Sequence, residues 1–153
     1  MKRLGKSSKK GFTLVELIVV LVILAVLAAM LVPALVGYID RAKKEKEYQA
    51  ASTVYAAAQA LATETYGKGG ALATADAKST FTVKELKGLT GVDVSEVQYK
   101  VKGTTTEIDK YTISEIAIKF KSADSVYYMY VAGGEWSTGT PSGDGWAKMP
   151  AGT

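Results

Sequence analysis

The most constraining feature of the sequence is a boundary at residue 11, where a short basic segment meets a long apolar run. The first 11 residues carry five basic side chains and no acidic one: Lys2, Arg3, Lys6, Lys9 and Lys10. The run that follows, Phe12–Val36, is 25 residues long, and its only polar side chains are Thr13 and Glu16. A helix needs about 20 apolar residues to cross the hydrocarbon core of a bilayer. The run is therefore long enough to span a membrane, and its one carboxylate needs a partner or a function.

Two ordinary interpretations compete for this segment. A secretory signal peptide also starts with basic residues, but its apolar core has about 7–15 residues and ends at a small-residue cleavage site. Here the run is longer, and the small residue, Gly11, precedes it. Cleavage at Gly11 would leave the apolar segment in the mature protein. A plain transmembrane anchor is the second alternative, although an anchor does not require the residues around Gly11.

The junction resembles the class III signal of type IV prepilins and pseudopilins, in which a basic leader ends in Gly and a Phe-Thr-Leu-x-Glu-Leu string follows. The string reads here Gly11-Phe12-Thr13-Leu14-Val15-Glu16-Leu17 without a mismatch. Pro33 matches a proline that is typical of the later part of the family's helix. The resemblance covers about the first 35 residues. It implies that a prepilin peptidase cleaves between Gly11 and Phe12 and that Phe12 is then N-methylated.

The resemblance also implies a role for Glu16. Carboxylates inside a membrane are costly and usually pair. Cleavage gives Phe12 an α-amino group that is largely cationic at neutral pH, and residues four apart share a helical face. In the family, the acid is thought to neutralise the terminal amine of a neighbouring subunit, which would fix the axial register of a filament. The alternative is that Glu16 reaches the membrane edge without a partner.

Basic residues also predict the orientation of the span. Because positive charge concentrates on the cytoplasmic flank, the leader is expected inside the cell and the residues after Tyr38 outside. The bias is weakened by four basic residues on the other flank: Arg41, Lys43, Lys44 and Lys46. Within the span, Pro33 removes a helix hydrogen bond, and Gly37 also weakens the helix. We expect a kink, or local melting between about Ala25 and Pro33, in the assembled filament.

Beyond the membrane, the sequence predicts an amphipathic continuation of the helix and then a small sheet. Apolar positions follow helical spacing: Ala51, Val54, Tyr55, Ala58, Leu61, Ala62 and Thr65. Gly67, Gly69 and Gly70 predict the end of this helix. Thr82 and Glu85 form a capping-box pattern for a short helix, with Leu86 and Leu89 expected to point inward and Gly88 and Gly91 expected to close it.

Three segments alternate or are rich in β-branched and aromatic residues, which predicts strands around Val97–Val101, Ile116–Phe120 and Val126–Val131. The segments 103–106 and 122–125 are expected to be hairpin connections. The result would be an antiparallel sheet of three or four strands. A tail rich in Gly, Ser and Pro follows from residue 133, with Trp136 and Trp146 expected to hold it against the sheet.

The fold class predicted is α+β: a long N-terminal helix, half transmembrane and half amphipathic, packed on a small antiparallel sheet, which is the pilin fold. The expected divisions are a leader peptide at 1–11, a membrane and filament-core helix at 12–37, and an extracytoplasmic head domain at 38–153.

Composition excludes several classes of site. The chain has no Cys, His or Asn, so zinc and haem sites are not expected, nor is a histidine general base. No cofactor and no catalytic residue is expected, and the protein is not expected to be an enzyme. The disulfide that staples many pilin heads is also missing. Without residues 1–11, 14 basic residues face 15 acidic ones, so no specific nucleic-acid binding is predicted.

Two further sites were weighed against simpler explanations. Some pseudopilins bind calcium near their C-terminus, and Asp124, Glu135 and Asp144 are candidate ligands. The chain lacks the series of acids typical of a calcium loop, so a surface turn is favoured and no metal is predicted. Four tyrosines lie along the helix: Tyr38, Tyr48, Tyr55 and Tyr66. Their packing is a simpler explanation than the electron conduction proposed for some pili.

The function expected from the resemblance is that of a structural subunit of a type IV pilus, anchored in the cytoplasmic membrane as precursor and extracellular in the mature fibre. Its expected partners are other copies of itself, prepilin peptidase, and the assembly platform with its ATPase. Adhesion, twitching motility and DNA uptake would be properties of the whole machine. The alternatives are a major pseudopilin of a type II secretion system, whose head would be calcium-dependent, and a membrane-anchored enzyme or binding module.

Overall fold

The computed structural model describes residues 11–70, 72, 81–103, 105–121 and 126–152. The chain forms two compact units, residues 1–44 and residues 45–153. In chain order the elements are α1 (Leu14–Gly67), α2 (Val83–Thr90), β1 (Val94–Val101), α3 (Glu107–Tyr111), β2 (Ile113–Phe120), β3 (Tyr127–Val131), β4 (Ser137–Gly139) and β5 (Ala147–Lys148). The predicted α+β class is confirmed. The predicted limits 1–11, 12–37 and 38–153 concern processing and membrane insertion, and they stay predictions.

The second unit contains an antiparallel sheet of five strands in the order β4-β3-β2-β1-β5. The central pair is β1 and β2, with Val97 opposite Ile118 and Tyr99 opposite Ile116. The three strands that the sequence predicted are therefore present, but the expected count of three or four was too low. The tail contributes both edge strands, β4 and β5, and these are too short, at three and two residues, to show a strand period.

The part of α1 after residue 45 packs on one face of this sheet. It buries a row of small side chains at helical spacing: Ala51, Val54, Ala58 and Ala62. These side chains share one core with large residues of the strands, among them Tyr99, Ile116 and Ile118. Since burial of such a side chain contributes about 1.5–3 kcal/mol, this interface accounts for much of the stability of the unit. The predicted amphipathic face is confirmed.

The side chain of Gln59 connects the helix to the sheet by two hydrogen bonds. Its Nε2 donates to the carbonyl of Tyr111 and its Oε1 accepts from the backbone N–H of Ile113, both at 2.9 Å. The side-chain amide thus pairs with the start of β2 as a neighbouring strand would.

The helix tyrosines of the second unit pack against aromatic rings. Tyr48 meets Tyr128 edge to face at 5.7 Å, and Tyr55 lies 4.9 Å from Tyr130. Tyr66 lies 5.0 Å from Tyr111. These contacts confirm the packing role for three of the four tyrosines, while Tyr38, in the first unit, is exposed.

Tyr128 is anchored further by a hydrogen bond to Glu47. The phenol donates to Oε2 of Glu47, at the beginning of the helical part of the second unit. Burial, together with this hydrogen bond, raises the pKa of Tyr128 to about 12. The tyrosine therefore stays protonated at neutral pH, as a donor must.

Helix α2 begins as predicted. Oγ1 of Thr82 accepts from the N–H of Glu85, whose carboxylate accepts from the N–H of Thr82 at 2.7 Å, and this is a complete capping box. Gly91, with φ of 68°, ends the helix, whereas Gly88 lies inside it.

Leu86 is buried, but Leu89 is 64% exposed, so the prediction that Leu89 points inward is wrong. The buried face passes through Val83, Leu86 and Thr90, and position 89 is turned about 100° away from position 90.

The connection from β1 to β2 joins two consecutive antiparallel strands, as a hairpin connection does, but it is longer than the predicted segment 103–106. It contains α3, whose N-cap is Thr106, where Oγ1 accepts from the N–H of Asp109. The threonines that looked like turn residues therefore include a helix cap. The other predicted hairpin connection, residues 122–125, lies outside the described residues.

The C-terminal segment lies along the edge of β1 and reaches α2. The N–H of Met149 donates to Val97, and Met149 itself is buried. The carbonyls of Pro150 and Ala151 then accept from the first two N–H groups of α2, at 2.9 and 3.1 Å. A disulfide cannot form in this cysteine-free chain, so packing and these hydrogen bonds hold the segment.

Both tryptophans contact residues of the sheet, as predicted. Trp136 stacks on Tyr130, with ring centroids 5.2 Å apart. The Nζ of Lys100 in β1 lies 4.7 Å from the centre of the Trp146 ring.

Candidate functional site

The residues of the expected processing site lie at the start of the first unit. Gly11 and Phe12 precede α1, and Phe12 is 80% exposed. Among the described residues, a Cβ added to Gly11 would meet no atom within 4 Å. Packing in that part of the chain therefore does not require a glycine at this position. A requirement for glycine would come from whatever enzyme binds the junction.

Thr13 and Glu16 form a reciprocal cap at the beginning of α1. Oγ1 of Thr13 accepts from the N–H of Glu16 at 3.2 Å. The Glu16 carboxylate accepts in turn from the N–H of Thr13 at 3.5 Å and from its hydroxyl at 3.4 Å. This is the capping-box arrangement, with Thr13 as N-cap and Glu16 as the third helical residue. The carboxylate also suits the positive end of the helix dipole.

Thr-x-x-Glu before an apolar run is the usual signal of a capping box, and Thr13 and Glu16 carry it, but their cap is not among the sequence-based predictions. The same pattern was recognised at Thr82 and Glu85. At the N-terminal junction, the family resemblance drew attention to the charge of Glu16 instead. The two contacts to the carboxylate are long for hydrogen bonds, so a cation from another molecule can compete for it at small cost.

The structure does not place Phe12 and Glu16 on one helical face. Because α1 starts at Leu14, Phe12 lies before the helix and its cap. The expectation that four-residue spacing aligns these two residues within one chain is therefore wrong. A contact between the Phe12 amine and Glu16 of two different chains does not depend on that alignment and remains a prediction.

An uninterrupted apolar surface follows this cap. Among the described residues, α1 is the one helix long and apolar enough to cross a membrane, with a mean hydropathy of 3.2 over its most apolar window. None of that window is buried within the chain. Leu17, Leu24 and Leu31 are each more than half exposed. An exposed apolar surface of this kind is typical of a segment that contacts a membrane or another protein.

Pro33 lies inside α1, which is helical from Leu14 to Gly67 in the single chain. The expected kink or melting in the filament stays a prediction.

Candidate metal ligands do not come together in the part of the chain that the structure describes, where no group of three or more acidic side chains could hold a metal ion. Glu135 and Asp144 are exposed, and Asp124 lies outside the described residues.

Comparison with known proteins identifies the N-terminal region. The prokaryotic N-terminal methylation motif matches residues 6–32, which include Gly11, Phe12, Thr13 and Glu16. No curated protein and no solved structure matches the chain. The match ends before the second unit, so it describes the junction and the apolar helix.

Proposed function

We propose that this chain, a member of the type IV pilin and pseudopilin family by its methylation motif, is the structural subunit of a type IV pilus. It acts by polymerising and catalyses no reaction. Prepilin peptidase removes residues 1–11, Phe12 is methylated, and the assembly platform with its ATPase moves the subunit from the membrane into an extracellular fibre. Adhesion, motility and DNA uptake belong to the complete machine.

The observation that carries the proposal is the fully exposed apolar surface of α1, which follows a motif for N-terminal methylation. In the precursor, lipid covers this surface, with the leader inside the cell and residues 45–153 outside. After extraction, the same surface must be buried again, because each Å² of apolar surface exposed to water costs about 25 cal/mol of free energy. Copies of the same helix provide this cover in a filament core.

Glu16 completes the mechanism. Within the described part of the single chain, its carboxylate has only the long contacts to Thr13. In the filament it accepts a charge-assisted hydrogen bond from the Phe12 amine of a neighbouring subunit, which is stronger than a neutral one. The correct axial position is the one in which no carboxylate remains unpaired among apolar helices.

Substitution of Gly11 tests the processing step. Gly11→Val should block cleavage, because a branched side chain would stand next to the scissile bond, while among the described residues no atom lies within 4 Å of the added Cβ. The uncleaved chain should remain in the membrane, and filaments should fall below detection by electron microscopy. Gly5→Val makes the same change elsewhere in the leader and should leave both cleavage and filaments unchanged. Normal filaments from Gly11→Val would exclude the proposed processing.

A further inference from the structure

We infer that the basic collar, defined as Tyr38, Arg41, Lys43 and Lys44, binds the phosphate groups of anionic lipids in the outer leaflet while the chain is in the membrane. The inference rests on the proposed function, since it takes the apolar part of α1 as a span with residues 45–153 outside and the leader as absent from the mature chain. It adds a lipid partner to the precursor state.

The length of the apolar segment places the collar at the headgroups. From Leu17 to Val36 every side chain is apolar. These 20 residues extend about 30 Å as a helix, which equals the thickness of the hydrocarbon core. Arg41 and Lys44 then lie about 8–12 Å beyond Val36. Each headgroup region is about 5–8 Å thick, and long basic side chains can reach back into it.

The cations of the collar have no partner within the described residues. Arg41, Lys43 and Lys44 are exposed and form no ion pair or hydrogen bond there. The second unit behaves differently, since its ion pairs engage seven lysines: Lys68, Lys87, Lys100, Lys102, Lys110, Lys121 and Lys148. The collar cations are thus available to anions from outside the chain.

Nearby acids do not neutralise the collar. Asp40 precedes Lys44 by four residues but is not within ion-pair distance of it, and it leaves residues 38–44 with a net charge of +2. The next turn adds Glu45, Lys46 and Glu47, which leaves residues 38–47 with a net charge of +1. Glu45 accepts a hydrogen bond from Gln49, and Glu47 accepts one from Tyr128.

The collar side chains leave the helix on several sides. Successive residues of a helix are turned by about 100° around its axis, so the four side chains point in four different directions. The widest angle between two neighbouring directions is about 140°, between Tyr38 and Lys43. A protein partner would contact one side of a helix, whereas a headgroup layer surrounds it. Tyr38, which is 68% exposed, adds the aromatic ring that is typical of a membrane interface. This distribution favours lipid over a protein as the partner.

Leader cleavage increases the importance of the collar. The five basic residues on the inner side all lie in residues 1–11 and leave with the leader. The basic side chains of the mature chain closest to the span are then those of the collar. Extraction into a filament must break their contacts with lipid.

Lysine acetylation of the full chain in lipid nanodiscs tests the inference. Discs of zwitterionic lipid are compared with discs in which half of the lipid is phosphatidylglycerol, and acetylation rates are read by mass spectrometry. A Lys near an anionic surface gains about 1 kcal/mol, or about fivefold in an equilibrium. Acetylation of Lys43 and Lys44 should therefore be about fivefold slower in the anionic discs, while Lys68 should be unaffected. Added salt should restore the rate, because it screens exposed charges.

A matched pair of variants makes the test specific. Arg41→Gln should reduce the protection of Lys43 and Lys44, whereas Lys102→Gln, the same loss of charge on the second unit, should not. Equal rates in the two kinds of disc would overturn the inference. So would protection by inorganic phosphate in zwitterionic discs, which would indicate a site for free phosphate. The assay needs neither peptidase nor filament, so its failure and failure of the proposed function can be told apart.

Discussion

Glu16 can support filament assembly in two ways: it caps its own helix, and its charge can pair with another subunit. A single substitution cannot separate these two effects. Gln preserves the capping hydrogen bonds, since a capping box accepts Glu or Gln at this position, but it removes the charge. Val removes both. The pair of variants Glu16→Gln and Glu16→Val therefore separates the two contributions.

We expect Glu16→Gln and Glu16→Val to be cleaved normally and to lose filaments to a similar extent. A hydrogen bond to a charged group contributes about 1.5–3 kcal/mol, so filament yield per cleaved subunit should fall about tenfold or more. Immunoblots of the sheared and cellular fractions measure this ratio. If Glu16→Gln assembled like the natural sequence while Glu16→Val failed, capping would be the function of Glu16 and the charge pairing would be excluded.

Gln59 stabilises the second unit through its two hydrogen bonds to the backbone of Tyr111 and Ile113. Gln59→Leu would leave the carbonyl of Tyr111 and the N–H of Ile113 without their partner, at a cost of about 1–3 kcal/mol for each unpaired group. Thermal and denaturant unfolding of the full chain in detergent should show the loss. Gln49→Leu is the control, because Gln49 is exposed and its bond to Glu45 is long, at 3.5 Å. It should change stability by less than about 0.5 kcal/mol, and equal effects of the two variants would contradict this account.

At the scale of the elements, the C-terminal segment takes the place of a covalent staple. β5 pairs with β1, Met149 fills the core, and two carbonyls cap α2. These contacts join the last residues of the chain to the helix and the strand that precede them by about 50–70 positions. The segment therefore closes the unit without a cysteine.

Met149→Ala measures the contribution of this segment. Removal of a buried Met side chain typically costs about 2–5 kcal/mol, so the unfolding midpoint of the second unit should fall clearly. Met30→Ala alters a methionine of the first unit that is 72% exposed and should leave that midpoint unchanged. A Met149→Ala protein as stable as the natural one would show that the segment is not part of the core.

At the scale of the whole molecule, the sequence predicted the features that have a period or a motif. The helix face at Ala51–Ala62, the three longer strands and the capping box at Thr82 all have clear local signals, and all are present. The edge strands β4 and β5 could not be predicted, because strands of two or three residues exist only through the neighbour they pair with. Leu89 was misassigned because an eight-residue helix leaves the centre of its buried face ambiguous.

The sequence predicted which residues form the candidate site, but only part of how these residues are arranged. Gly11, Phe12 and Glu16 could be named from the motif because the motif is a string of residue types. The cap between Thr13 and Glu16, and the position of Phe12 outside the helix, depend on where α1 begins. A continuous apolar run has no polar boundary that would fix this start, so the first helical residue could not be read from it.

The intact mass of the subunit in filaments sheared from producing cells tests directly whether this chain is a processed surface pilin. We expect a subunit that begins at Phe12 and carries one added methyl group. Processed protein confined to the cell envelope would contradict a surface pilus and favour a secretion pseudopilus. A subunit that still carries residues 1–11 would contradict the account as a whole.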